Sequence, residues 1–241
     1  FRRVIEEDGW SRLNDSVTAA EQLGEEFRDT ALQRCMVQIG DTCSRFRRVV
    51  RDVSKELRKK IEREITGGDT ELDKTVVEKI TDPLAHLVRN SLDHGIEMPR
   101  ERAAVGKSEV GTLILNAYHE SGHVVIEIED DGAGLDLEKI RNKAINNGLI
   151  REDQELSEKE VSQLIFSPGL STKDVASNLS GRGVGMDVVK RNIEELRGSI
   201  DVRSEPGCGP KMTIRLPLNL ALIDGFIVGA TTERYVNPLA I

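Results

Sequence analysis

The sequence predicts an α+β protein: an N-terminal helical hairpin followed by an α/β sandwich. Three observations predict it. An apolar series of heptad type runs from Leu32 to Leu57. Residues 70–218 alternate between helical and strand periodicity. Glycines cluster where strands hand over to helices, at Gly132 and Gly134 and at Gly181, Gly183 and Gly185. The 241 residues have room for one medium domain and a smaller one. A net charge of −8 with only 3% aromatic residues argues against a nucleic-acid groove. No apolar stretch approaches membrane-spanning length, and no signal peptide opens at Phe1. Cys35, Cys43 and Cys208 are odd in number and lack metal spacing, which fits a reducing cytoplasm.

Along the chain, Leu32, Met36, Ile39, Cys43, Phe46, Val50, Val53 and Leu57 lie four and three residues apart, the spacing of a coiled-coil seam. Leu13, Val17, Ala20, Leu23 and Phe27 supply a partner helix. Such a hairpin can pack on its own domain or pair with its copy as a four-helix bundle. The basic run from Arg45 to Lys59 reads as a solvated helix face. Gly67-Gly68-Asp69 breaks the helical pattern and sets the expected boundaries: 1–66 helical, 67–218 α/β, 219–241 the start of a further domain. In that last piece, Ala221–Val228 and Arg234–Val236 read as a hairpin.

Three stretches carry the chemistry. The first, His86 to Gly95, reads as an amphipathic helix, with Leu84, Leu87, Val88 and Leu92 inward. Asp82 and Pro83 suit its N-cap and first turn. His86, Asn90, Asp93 and His94 then share a polar face. An Asn side-chain carbonyl is the hard oxygen that a magnesium ion accepts alongside water and phosphate, and His86 lies one turn before Asn90. The second stretch is Asp130-Asp131-Gly132-Ala133-Gly134, after a strand in which Val124, Ile126 and Ile128 alternate with polar partners. A carboxylate at a strand end can accept from an exocyclic amino group, and bare glycines let the backbone approach a flat base. The third, Gly181-Arg182-Gly183-Val184-Gly185, precedes an apolar helix whose free amides and dipole suit phosphate. Upstream of it, Phe166 to Ser180 has the composition of a lid.

In this order, the three stretches resemble the N, first G and second G boxes of the GHKL (Bergerat-type) ATP-binding fold, with Phe166–Thr172 as the F box. The wording is closer to chemotaxis sensor histidine kinases of the CheA type: "TELD" (70–73), "DPLAHLVRNSLDHGIE" (82–97), "EDDGAGLD" (129–136), "SPGLST" (167–172), "SGRGVGMDVV" (180–189) and "IRLPL" (214–218). The resemblance spans about residues 45–241.

The resemblance implies ATP and Mg²⁺ as ligands, with Asn90 on the metal, helped by His86. Asp130 is expected to hold the adenine amino group, with Gly132 and Gly134 lining the base. Arg89 and His94 are expected near the phosphates, and Gly181, Gly183 and Gly185 at the edge of the lid. Asp93, Ser171, Thr172 and Thr213 complete the expected ATP-binding set. Hydrolysing relatives such as gyrase and MutL carry an acidic residue four positions before the magnesium asparagine; here that position is His86. Hydrolysis needs a base on the attacking water, so the histidine favours transfer to a protein acceptor.

The implied function is a histidine autokinase. It passes the γ-phosphoryl of ATP to a histidine on a separate phosphoacceptor domain, in trans within a homodimer held by the N-terminal helices. A coupling protein, a chemoreceptor and a response regulator are the implied partners of the full-length protein. The final segment resembles the opening of the family's SH3-like regulatory domain. Two other readings compete: a hydrolysing ATPase of the same fold, and a dimeric scaffold with a lapsed pocket. The last is motivated by Pro210, which stands where the family has a threonine after glycine, unless Thr213 substitutes.

Overall fold

The computed structural model describes residues 16–20, 22–24, 36–170, 185–218, 225–230 and 233–238. Residues 16–20 and 22–24 are helical. The chain then forms β1 (Met36–Gln38), α1 (Gly40–Leu57), β2 (Lys60–Thr66), β3 (Glu71–Asp73) and α2 (Lys74–Asn90). A π turn (Ser91–Gly95) leads to α3 (Pro99–Ala104) and the hairpin β4 (Val110–Glu120) and β5 (His123–Asp130). Next come α4 (Leu137–Asn146), α5 (Glu158–Gln163) and a 3₁₀ turn (Leu164–Phe166). The described chain closes with α6 (Met186–Glu195), β6 (Ser199–Glu205), β7 (Gly209–Pro217), β8 (Gly225–Ala230) and β9 (Glu233–Pro238).

The frame is a five-stranded sheet ordered β2-β4-β5-β7-β6. Only β2 runs parallel to its neighbour; the other pairs are antiparallel. Alternation along β4, β5 and β7 turns Leu113, Leu115, Ile126, Ile128, Met212 and Ile214 to the core, with Val125 of β5 buried as well. Helices cover that face: Val76, Ile80, Leu84 and Leu87 of α2, and Val189 and Ile193 of α6, join the same buried cluster. The β8–β9 pair is antiparallel, with strands shifted by a few residues from the expected hairpin.

Two expectations are corrected. The heptad-spaced residues do not form one long helix, because β1 pairs with β3. Ile39, Phe46, Val50 and Val53 are at most 5% exposed and belong to the same core as α2 and the sheet. The seam therefore packs on its own domain. The boundary expected at residue 67 lies inside one folded unit that starts by Met36, and Gly67-Gly68 is the turn that ties it together: Ile39 N donates to Thr70 O and Gly40 N to Gly68 O.

The second correction is the start of α2, which is Lys74 and not Pro83. Asp73 is the N-cap, its Oδ1 accepting from Thr75 N at 2.7 Å. Pro83 sits in the helix interior, where it removes a hydrogen bond and costs about 3 kcal/mol. Val76, Val77, Ile80, Leu84, Leu87 and Val88 are all buried on one face. Each contributes roughly 1.5–3 kcal/mol, which outweighs the proline.

Candidate nucleotide site

Asp130 ends β5 on the core face, one strand step beyond Ile128. It is 1% exposed. Its Oδ1 accepts from Gly132 N at 3.1 Å, while Oδ2 has no partner among the described residues. Burial pushes its carboxyl up to about 6, opposed by Ser91 and the Gly132 amide and aided by Asp131 and Glu97. A carboxylate oxygen held dry and unsatisfied is costly. It is the acceptor that an exocyclic amino group would complete.

The neighbouring backbone packs closely at its glycines. Gly209, at φ +84°, crosses directly over the Asp130 carbonyl, and any Cβ there would overlap it. Gly134, also at positive φ, lies against Glu205 O and Ser204 Oγ. Leu135 N donates to that same Ser204 Oγ at 2.7 Å, which ties the glycine loop to β6.

Asp131 has a different job from its neighbour. Its Oδ1 accepts from Thr112 N at 2.9 Å and its Oδ2 from Arg102 Nη2 at 2.8 Å. Arg102 is 2% exposed and also donates to Glu97, Ser108 O and Asp131 O. Lys107 donates to Glu97 and to the carbonyls of Asp131 and Gly132 at 2.8–2.9 Å. This network clamps the 131–132 turn from behind. Sequence reading missed it, because Arg102 and Lys107 reach Asp131 across more than twenty residues and leave no local pattern.

On α2, His86, Arg89 and Asn90 lie three and four residues apart in regular α geometry and are half-buried. Asn90 Nδ2 lies 3.1 Å from Met186 Sδ at the start of α6. That contact joins the first motif to the third and leaves the Asn90 carbonyl as the acceptor. Gly185 is the N-cap residue of α6, with Val188 N and Val189 N bonding back to its carbonyl.

The π turn separates the other two members of the expected polar face. Asp93 and His94, whose side chains are 3.4 Å apart, line a cavity of about 420 Å³ with Lys59, Glu97 and Glu101. Neither Asn90 nor Asp130 lines it. Thr213 is a further correction. It pairs with Glu127 and Asp201 on the outward face of the sheet, whereas Asp130 faces the core with Ile128 and Met212. The two-residue period of the strand puts its hydroxyl on the wrong side to substitute at position 210. Pro210 itself is buried and shares the core parity of Met212. Ser171, Thr172, Gly181 and Gly183 lie outside the described residues. Among the described residues no cluster of His, Cys, Asp or Glu could hold a metal alone, and no helix is long and apolar enough to cross a membrane.

Residues 79–220 match the family model described as histidine kinase-, DNA gyrase B- and HSP90-like ATPase. The chain is 48% identical over 227 residues to Chemotaxis protein CheA of Klebsiella aerogenes, covering 94% of this chain and 35% of the relative. It is 43% identical to Chemotaxis protein CheA of Bacillus subtilis, covering 100% of this chain and 36% of the relative. Against Sensor histidine kinase CheAY of Helicobacter pylori the identity is 46%, over 95% of this chain and 29% of the relative. The chain thus spans about a third of the length of these curated relatives. The chain belongs to the histidine kinase-, DNA gyrase B- and HSP90-like ATPase family, as an ATP-binding domain of the CheA type.

Proposed function

We propose that this domain binds ATP with magnesium and transfers the γ-phosphoryl to a histidine of a separate acceptor domain, within a cytoplasmic chemotaxis signalling protein. One observation carries the choice of transfer over hydrolysis: the residue one helical turn before Asn90 is His86. A carboxylate there would hold an attacking water as general base.

In this reading Asp130 Oδ2 accepts the adenine amino group, Gly132 and Gly134 line the base, and the bare glycines at 132, 134 and 209 let the surrounding backbone close tightly around the carboxyl. The fit to magnesium rests on the Asn90 carbonyl: one protein oxygen is enough for an ion that keeps water and phosphate as its other ligands. Asn90 would hold the ion, and the chemistry it would supply there is neutralisation of the charge that develops in transfer. His86 and Arg89 flank Asn90 on α2 and would meet the phosphates from the protein side. Gly181, Gly183 and Gly185, with Ser171 and Thr172, would cover them. Asp93 and His94 would act from the adjoining turn.

Dimerisation is a separate proposal, and it moves away from the seam. Val17 and Leu23 are 50% and 68% exposed on helical residues. They suit an interface formed by the helical residues 16–20 and 22–24, and transfer in trans would follow. The coupling protein, chemoreceptor and response regulator belong to the same proposal, resting on the family resemblance and on relatives named for chemotaxis.

The test is incubation with γ-labelled ATP, magnesium and an isolated acceptor domain. Label appearing on an acceptor histidine, with little free phosphate without acceptor, supports transfer. Rapid phosphate release independent of acceptor would favour the hydrolysing alternative.

A further inference from the structure

Lys59 lies between α1 and β2, far in sequence from every motif, and its ammonium is spent on one turn. It donates to Leu92 O at 2.8 Å, Asp93 O at 2.8 Å and Ile96 O at 2.7 Å. An ammonium has three N–H groups, so all of them are used on backbone. The last carbonyls of a helix have no partner within it. Here the helix end is a π turn, closed by Ile96 N donating to Ser91 O at 2.8 Å, and a single side chain satisfies the Leu92 and Asp93 carbonyls within it and the Ile96 carbonyl just beyond. Single-turn π segments are rare and recur at functional sites.

This turn joins the two halves of the nucleotide site. Asn90 stands immediately before it. At its end, Gly95 has its bare Cα against the Asp130 carboxyl, where a Cβ would come within 2.8 Å of Oδ2. Gly95 O also accepts from Ala133 N at 3.1 Å, in the glycine loop. The path of Leu92–Ile96 therefore sets how far Asn90 stands from Asp130. Burial pulls the Lys59 ammonium below its ordinary range, and the charges of Asp93, Glu101, Glu97 and Asp130 oppose that shift.

We propose that Lys59 is a positioning residue for nucleotide binding: through three carbonyls it fixes the turn that spaces the metal-side asparagine from the base-side aspartate. It touches neither group with its own side-chain bonds, and the proposal rests on the ATP-site reading above.

Lys59→Met keeps the stem and removes the three donors. The measurement is calorimetric titration with ADP and with GDP, below the melting temperature, normalised to folded protein. We expect ADP affinity to fall about tenfold and the preference for ADP over GDP to shrink. NMR shifts of the Gly95 and Ala133 amides should move in the nucleotide-free protein. A variant with a lower melting temperature but unchanged ADP affinity and base preference would overturn the proposal, since a merely structural lysine predicts that. Should Lys59→Met fail to fold, Lys59→Gln, with two neutral donors, carries the same comparison. Weaker ADP binding supports the role, and full affinity refutes it. Failure of the unaltered chain to bind ADP would instead remove the ATP-site reading itself.

Discussion

Asp130→Asn changes one oxygen to nitrogen at the most buried polar position of the site. In the nucleotide-free fold the carboxyl is pushed from 3.8 up to about 6 because burial disfavours its charge. A carboxyl whose folded value is raised gives its full stability below pH 4 and loses it as pH climbs from about 4 to 6. At neutral pH the ionised group then costs the empty fold about 3 kcal/mol, at ~1.4 kcal/mol per tenfold in proton affinity. Asparagine carries no such cost. The empty variant should be more stable above pH 6, by up to about 3 kcal/mol, with a flatter stability profile between pH 4 and 6. Binding should suffer in exchange. The carboxylate accepts from the adenine amino group, and an amide turned the wrong way opposes it, a mismatch of roughly 1–3 kcal/mol. Urea unfolding across pH gives the first quantity, and calorimetry with ADP and GDP the second. A variant that gains no stability at pH 7, yet binds ADP as well as the parent, would refute both the buried-charge argument and the base-binding role. For the parent, ADP binding should weaken below pH 6, because the carboxyl must release its proton to accept the base.

Three other perturbations test separate links. Asn90→Ala should lower phosphotransfer by at least about 100-fold, or ~2.7 kcal/mol, through lost metal placement; near-normal transfer by a folded variant excludes the assignment. Pro210→Thr puts a hydroxyl on the core-parity face beside Asp130; a neutral hydrogen bond is worth roughly 0.5–1.5 kcal/mol, so ADP should bind about two- to tenfold tighter in calorimetry. Phe46→Ala should cost about 3–5 kcal/mol in chemical unfolding, without any change in oligomeric state by sedimentation, because Phe46 is 1% exposed in its own core.

The local parts of the site were legible because each rests on short-range chemistry. The alternation of Val124, Ile126 and Ile128 placed Asp130 at a strand end, and the observed β5 has that form. What escaped were the long-range choices. A four-three apolar spacing describes any helix with one buried stripe. It could not say that Phe46 and Val50 face α2 instead of a second copy. Pro83 looked like a helix start because the local signal is strong. The cap at Asp73 wins only through burial summed over the whole of α2. Thr213 was offered as a substitute for the family's hydroxyl, but the register of β7 on β5 decides its face. Lys59 and Asp131 were missed because their partners lie many residues away, and a lone lysine or a second aspartate leaves no pattern to read.

The central claim is that Asp130 and Asn90 mark the two ends of one nucleotide, base and phosphate. A crystal structure with a non-hydrolysable ATP analogue and magnesium tests it most directly. The account predicts the adenine amino group on Asp130 Oδ2, the base against Gly132 and Gly134, and the metal on the side-chain oxygen of Asn90. A nucleotide bound elsewhere, with Asp130 Oδ2 still unpartnered, would contradict it.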